Sequence, residues 1–223
     1  MSQTNLKSEY QLRFSKVAKY RNEVWKVLTS DFFQRHIPAD SVVLDLGCGW
    51  GEFINNIRAA EKHGMDLNED SSNKLNPDVI FHRQDCSQEW NIPDSKFDWI
   101  FTSNFLEHLP NKKALERTLG QVRRCLKPTG GIICLGPNIR YLPGEYWDFW
   151  DHHIPLSERT MTEILMVTEF EIVQCVPRFL PYSMTQGFTP PLIFLKTYLK
   201  MPLFWKYFGK QFLIMATPKG KIY

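Results

Sequence analysis

No acidic residue follows Glu171 in this 223-residue chain. Arg178, Lys196, Lys200, Lys206, Lys210, Lys219 and Lys221 occupy that stretch instead, so a net charge of only +3 conceals a basic, aromatic end and an acidic remainder. Such asymmetry points to an anionic partner or surface. Cysteine is sparse: Cys48, Cys86, Cys125, Cys134 and Cys175 form no CxxC pair, which excludes the usual zinc and redox spacings and predicts reduced thiols. A long apolar run is also lacking, because the longest uncharged stretch, residues 179–195, is interrupted by Pro181, Pro190 and Pro191. No membrane span is therefore expected. The first ten residues are polar, so no signal segment is expected either, and a cytoplasmic protein is the expectation. The low charge and the lack of a recognised RNA-binding module argue against nucleic acid as a partner.

What is present suits one globular domain, with 43% hydrophobic, 23% charged and an ample 14% aromatic residues. Val17, Tyr20, Val24 and Leu28 recur at helical spacing and predict a helix over residues 10–35, within an N-terminal helical lid of residues 1–40 that precedes a domain at 41–223. A β-branched and leucine run at 41–46 meets Gly-Cys-Gly-Trp-Gly and a helical stretch at 52–61, which reads as strand, glycine turn and helix. Further strands are expected at 63–67, 79–82, 97–102, 131–136, 171–176 and 211–216. Leu115, Leu119, Val122 and Leu126 mark a helix, Ser157 caps another, and residues 179–210 form an insertion before the last strand. This alternation predicts an α/β, Rossmann-like, doubly wound, mostly parallel sheet of seven strands with helices on both faces.

Asp45-Leu-Gly47-Cys-Gly49-Trp50-Gly51 follows a strand and opens the next segment, the context a glycine-rich cofactor turn requires. A structural turn is the alternative for the glycines alone. Asp66 ends the next strand about 20 residues on, where a carboxylate accepts from both hydroxyls of a ribose. Asp85 ends the third strand, where it can accept from an adenine amino group. Strand ends along one edge of such a sheet are where ligands bind.

The ordered set Val43-Leu-Asp-Leu-Gly-Cys-Gly-Trp-Gly51, Met65-Asp-Leu67, Gln84-Asp-Cys86, residues 97–104 with Leu106-Glu-His-Leu109, and Leu126-Lys-Pro-Thr-Gly-Gly131 resembles the motifs of class I S-adenosylmethionine-dependent methyltransferases. A nicotinamide dehydrogenase fits less well, because its glycines run Gly-x-Gly-x-x-Gly. The resemblance implies S-adenosylmethionine as cofactor and S-adenosylhomocysteine as product. It implies Asp45, Gly47, Gly49 and Trp50 near the methionine part, Asp66 and Leu67 at the ribose, Asp85 and Cys86 by the adenine, and Asn104 and Phe105 under the sulfonium. Arg21 reaches the cofactor carboxylate in this reading; an exposed helix arginine is the alternative.

Beyond the fifth strand, Pro137-Asn-Ile-Arg-Tyr141, residues 144–153 and Arg178-Phe-Leu-Pro-Tyr182 resemble a bacterial methyltransferase subgroup of cell-surface polysaccharide and glycan pathways. Tyr146, Trp147, Asp148, Asp151, His152 and His153 lie together and form a natural acceptor wall. A hydroxyl acceptor favours a general base, and histidine suits that task near neutral pH. His152 or His153 is the expected base with Asp148 or Asp151 as its orienter, the alternative being a pair that only caps or packs the loop; His108 is a further candidate, or a residue that only shapes the site. Two adjacent histidines without a defined third ligand predict no metal site. The expected acceptor is a sugar hydroxyl or a similar small or lipid-linked molecule. N-, S- or lipid methylation, or a non-catalytic binding module, are the alternatives. The lysines and aromatics of residues 179–210 suit either an acceptor lid or peripheral contact with an anionic membrane.

Overall fold

The computed structural model describes residues 18–182 and 190–220. In chain order these form α1 (Ala18–Asp31), β1 (Val42–Leu46), β2 (Glu61–Asp66), β3 (Val79–Arg83), β4 (Phe97–Ser103), α2 (Lys112–Cys125), β5 (Leu126–Pro137), α3 (Glu158–Val167), β6 (Phe170–Val176), α4 (Leu192–Leu199), α5 (Pro202–Phe208) and β7 (Gln211–Pro218). The seven strands make one sheet in the order β3-β2-β1-β4-β5-β7-β6. The first five pair in parallel, and β7 runs antiparallel between β5 and β6.

Side chains alternate across each strand, so the sheet supports two cores. Leu44, Leu46, Ile100, Ile132, Cys134 and Ile214 face one side, covered by α2 and by Met161 and Leu165 of α3. Val43, Phe101, Ile133, Leu135, Leu213 and Met215 face the other, covered by Val24, Trp25 and Leu28 of α1 and by Leu199 and Trp205 of the insertion. Much of the aromatic excess resides in this second core. Phe101 is fully buried, stacks on Phe53 at a centroid distance of 3.7 Å and meets Trp25 and Phe33 edge-on. Truncating such a ring to alanine costs about 3–5 kcal/mol.

Local chemistry sets the helix limits. Asn111 caps α2 by accepting from the Ala114 backbone N–H at 2.9 Å. Ser157 and Thr160 form a reciprocal capping box that opens α3. α1 stops at Asp31 and tightens into a 3-10 turn at Phe33–Arg35, short of a continuous helix to residue 35. The start of that expected helix, before residue 18, lies outside the described residues.

The helix expected at 52–61 does not form; the segment makes turns only. Backbone bonds from Asn55 to Gly51 and from Ile57 to Phe53 close single turns, after which the amide side chains compete for the backbone. Asn56 Nδ2 donates to the Glu52 carbonyl at 2.7 Å. Asn55 instead bridges to a neighbouring loop, donating to the Lys74 carbonyl and accepting from the Asn76 N–H, both at 2.8 Å. The Arg58 N–H leaves helical register to reach Gln34 Oε1 at 2.9 Å.

Candidate active site

β1, β2 and β4 deliver their carboxyl ends to a common edge. Gly47, Gly49 and Gly51 all adopt positive φ (73°, 50° and 76°), which L side chains rarely tolerate. At Gly47 space is decisive as well, since a Cβ there would lie 2.1 Å from Cγ of Phe105. Asp66 ties the turn to the next loop. Its Oδ2 accepts from the Gly49 N–H at 2.9 Å and its Oδ1 from the Asn68 N–H at 2.8 Å. Burial raises its pKa against these backbone donors. Asp45 lies deeper, only 4% exposed, and burial together with the charges of Glu52 and Asp66 holds its carboxyl well above the usual range.

The remaining residues of the edge are placed as follows. Asp85 Oδ1 accepts from the backbone N–H and the hydroxyl of Ser87, each at 2.8 Å. The buried Cys86 thiol lies 3.5 Å from Thr118 Oγ1 and is pushed up by burial to about 11, so it is a packing group and not a nucleophile. Leu67 is exposed beyond Asp66. Arg21 is buried, which removes the exposed-arginine alternative; its Nε donates to Glu52 Oε1 at 2.6 Å. Its guanidinium also lies 5.4 Å from the centre of the Trp50 ring, with the Lys74 ammonium at 5.7 Å.

Asn104 turns the chain back at positive φ (48°). Its N–H donates to the Leu135 carbonyl at 2.9 Å and its Nδ2 to Ser103 Oγ at 3.0 Å. Among the described residues its buried Oδ1 has no hydrogen-bond partner, an arrangement that a ligand donor would satisfy. With carboxylates at the ends of β1 and β2 and just past β3, this orphaned acceptor fits the residues to S-adenosylmethionine.

A second cluster stands beside Asn104. The loop of residues 138–157 is pinned by buried Tyr146, whose hydroxyl donates to the Ile154 carbonyl and accepts from the Leu156 N–H. Beneath it, buried Asn138 donates to Glu158 Oε2 at 2.7 Å, and Arg140 pairs with the same carboxylate. The loop thereby carries Asp151 to His108. His108 Nδ1 lies 3.0 Å from the Asp151 carbonyl and 3.3 Å from its Oδ2. Burial alone would lower the His108 pKa, but the hydrogen bonds and charge of Asp151, with the charge of Glu107, raise it to about 8.

His152 is buried, stacked on Phe149 and edge-on to Tyr146 and His108. His153 and Asp148 are exposed, and His153 joins the cluster only through its backbone N–H, which donates to the Glu107 carbonyl at 2.9 Å. The structure therefore brings His108, His152 and Asp151 together and leaves the His153 and Asp148 side chains outside. Glu107 belongs to the Leu106-Glu-His-Leu109 motif, but sequence reasoning gives it no site role. It is 1% exposed, burial raises its pKa, and its Oε1 has no hydrogen-bond partner among the described residues. Ligand-capable atoms of Glu107, His108 and His152 all lie within 4.8 Å of one another, a group that does not include His153. The sequence signal for Glu107 was the acid next to His108 on the same 3-10 turn.

The strand order and the glycine turn define a class I methyltransferase domain. A family model described as a methyltransferase domain matches residues 17–175, and the chain belongs to that family. The cofactor of this domain is S-adenosylmethionine. An uncharacterised protein of Methanocaldococcus jannaschii is 34% identical over 122 residues, which are 53% of this chain and 51% of that protein. The match thus spans about half the length of the curated relative. The methyltransferase of a Haloferax volcanii complex with the Trm112 methyltransferase activator superposes with a TM-score of 0.69 at 13% identity, covering 92% of this chain and 95% of that one. A SAM-dependent methyltransferase from Archaeoglobus fulgidus gives a TM-score of 0.65 at 22% identity, covering 92% and 98%. At these identities the likeness is one of fold.

Proposed function

We propose that the chain methylates a hydroxyl of a sugar or of a similar small or lipid-linked acceptor in glycan assembly, with His108 as general base, in the cytoplasm. The observation that carries the reading is the His108–Asp151 contact beside Asn104. Asp151 engages Nδ1, and Nε2, which lies 4.0 Å from Glu107 Oε1, is the nitrogen that takes the acceptor proton in this reading. The His108 side chain retains 31% exposure, enough for an acceptor to reach it. S-adenosylmethionine supplies, when bound, a methyl carbon already activated by its sulfonium. Asp66 is the acceptor for the ribose hydroxyls, exchanging its backbone donors for them. Asn104 Oδ1 receives a donor of the cofactor, and Arg21 and Trp50 border its methionine end. The protein's remaining task is to hold the acceptor in line and to move one proton.

The test is methyl transfer from labelled S-adenosylmethionine to a panel of sugar hydroxyls and to amines, with His108→Gln alongside. Loss of hydroxyl methylation of about a hundredfold or more in the variant, with cofactor affinity unchanged, supports the base. Transfer to amines alone, undisturbed by the variant, would replace it with the N-methylation reading.

A second reading rests on Glu107, His108 and His152, whose donor atoms could hold a divalent cation that acidifies the hydroxyl. Chelation separates the two. Activity that survives dialysis against EDTA belongs to the base reading, and activity lost and then restored by a divalent cation belongs to the metal.

A further inference from the structure

The two short helices of the insertion bury one face and leave the other bare. On the inner face Leu199 and Trp205 enter the core beneath α1. Tyr198 Oη donates to the Phe179 carbonyl at 2.6 Å, and Trp205 Nε1 to the Tyr198 carbonyl at 2.9 Å. These bonds fix the hairpin and set its outer face. That face presents Phe194, Leu203, Phe204, Tyr207 and Phe208, all but Phe204 more than 60% exposed, and Ile193, 63% exposed, lines a groove beside it with Glu23 and Val27 of α1. Exposed apolar side chains concentrated on two adjoining short helices are unfavourable in water and mark a contact surface.

Lys196, Lys200 and Lys206 stand exposed among these side chains, and among the described residues none of them pairs with a carboxylate. No acid follows Glu171 to neutralise them. A second copy of the chain docked face to face would set lysine against lysine, because a twofold interface repeats the same patch on both partners. Nucleic acid matches the charge but leaves Ile193 and Leu203 in water. An anionic bilayer satisfies both features at once. Aliphatic and aromatic groups enter the acyl boundary, lysine stems lie along it, and the ammonium groups meet lipid phosphates.

We infer that the α4–α5 hairpin is a docking surface for anionic membrane. No helix among the described residues is long and apolar enough to cross a membrane, so the hairpin lies in the interface plane. It is coupled to the acceptor loop at its base. Lys210 pairs with Glu145 at 2.7 Å. Arg178 donates to the Tyr207 carbonyl at 2.6 Å, and its guanidinium lies 4.7 Å from the centre of the Tyr141 ring. Docking thus holds the acceptor loop beside the bilayer, where a lipid-linked acceptor resides. The inference goes beyond the transfer reaction and is read without cofactor or acceptor, so its failure and that of the base mechanism are distinguishable.

The experiment is flotation of the full chain with vesicles of phosphatidylcholine alone and of phosphatidylcholine with phosphatidylglycerol. Expected is co-flotation with the anionic vesicles only, weakened by salt. A Lys196→Gln/Lys200→Gln/Lys206→Gln variant should bind about a hundredfold more weakly, roughly fivefold per lysine. Phe194→Ser/Phe208→Ser should also lose the vesicles, and both variants should keep the melting temperature and S-adenosylmethionine affinity of the parent. Absence of vesicle binding, equal binding to neutral vesicles, or self-association that Phe194→Ser abolishes would overturn the inference, the last by assigning the patch to a second copy.

Discussion

His108 and Asp151, 43 residues apart in sequence, meet with Nδ1 3.0 Å from the backbone carbonyl and 3.3 Å from the carboxylate. Both acceptors belong to one residue, so a single loop position sets the orientation of the imidazole, while Asp151 and the charge of Glu107 together raise its proton affinity. Because the His108 pKa is raised to about 8, the ring is mainly protonated at neutral pH and becomes a competent base as the pH rises.

The pH dependence follows with a definite sign. kcat/KM should climb through an apparent pKa near 8 and level off above it. Asp151→Asn removes one of the two charges that raise the pKa and leaves that of Glu107, so the midpoint should move to lower pH while the plateau falls about tenfold or more. A pH–rate profile of both proteins checks this. The stabilising contribution of His108 runs the other way: it is complete below the ordinary histidine pKa of about 6.5 and is lost as pH rises through the raised value.

Asp66→Ala should weaken S-adenosylmethionine binding by about a hundredfold, since charge-assisted hydrogen bonds contribute about 1.5–3 kcal/mol each. Calorimetric titration with S-adenosylmethionine and S-adenosylhomocysteine reads it directly. Unchanged affinity would remove Asp66 from the ribose site.

Gly47→Ala should destabilise the fold by at least about 2 kcal/mol, because alanine is strained at positive φ and its methyl would collide with the Phe105 ring. Chemical denaturation measures the loss. Adding Phe105→Ala should recover the part due to collision and leave the backbone part.

Arg21→Ala should cost about 3 kcal/mol by stranding Glu52 beside the buried Asp45, and Glu52→Ala in the same chain should restore part of it. A double-mutant cycle in urea gives the coupling. The affinity of the Arg21 variant for cofactor tests its place at the methionine end.

The sheet was legible because β1 is a short apolar run closed by Gly47, β4 one closed by Asn104 and the end of β5 one closed by Asn138, and because Asp66 lies at ribose spacing from the glycine turn. The segment at 52–61 misled because its apolar spacing is helical while Asn55 and Asn56 spend their amides on neighbouring backbone. The adjacent histidines drew attention to residues 152 and 153 on composition alone. Only the tertiary path of the loop, set by Tyr146 and the Asn138–Glu158 contact, reveals that Asp151 turns toward His108 and that His153 faces outward. Likewise the sequence of the basic, aromatic insertion does not distinguish buried Trp205 from its exposed neighbours, which depends on how the two helices pack on α1.

The position of β7 bears on how the chain is made. Among the described residues β6 pairs only with β7, and β7 is the last strand, wedged between β5 and β6. During synthesis β6 therefore leaves the ribosome before its partner exists, and the sheet closes only after Gln211–Pro218 have emerged. A nascent chain stalled ahead of residue 211 would present the bared edge of β5 and an unpaired β6, the kind of surface that recruits chaperones or aggregates.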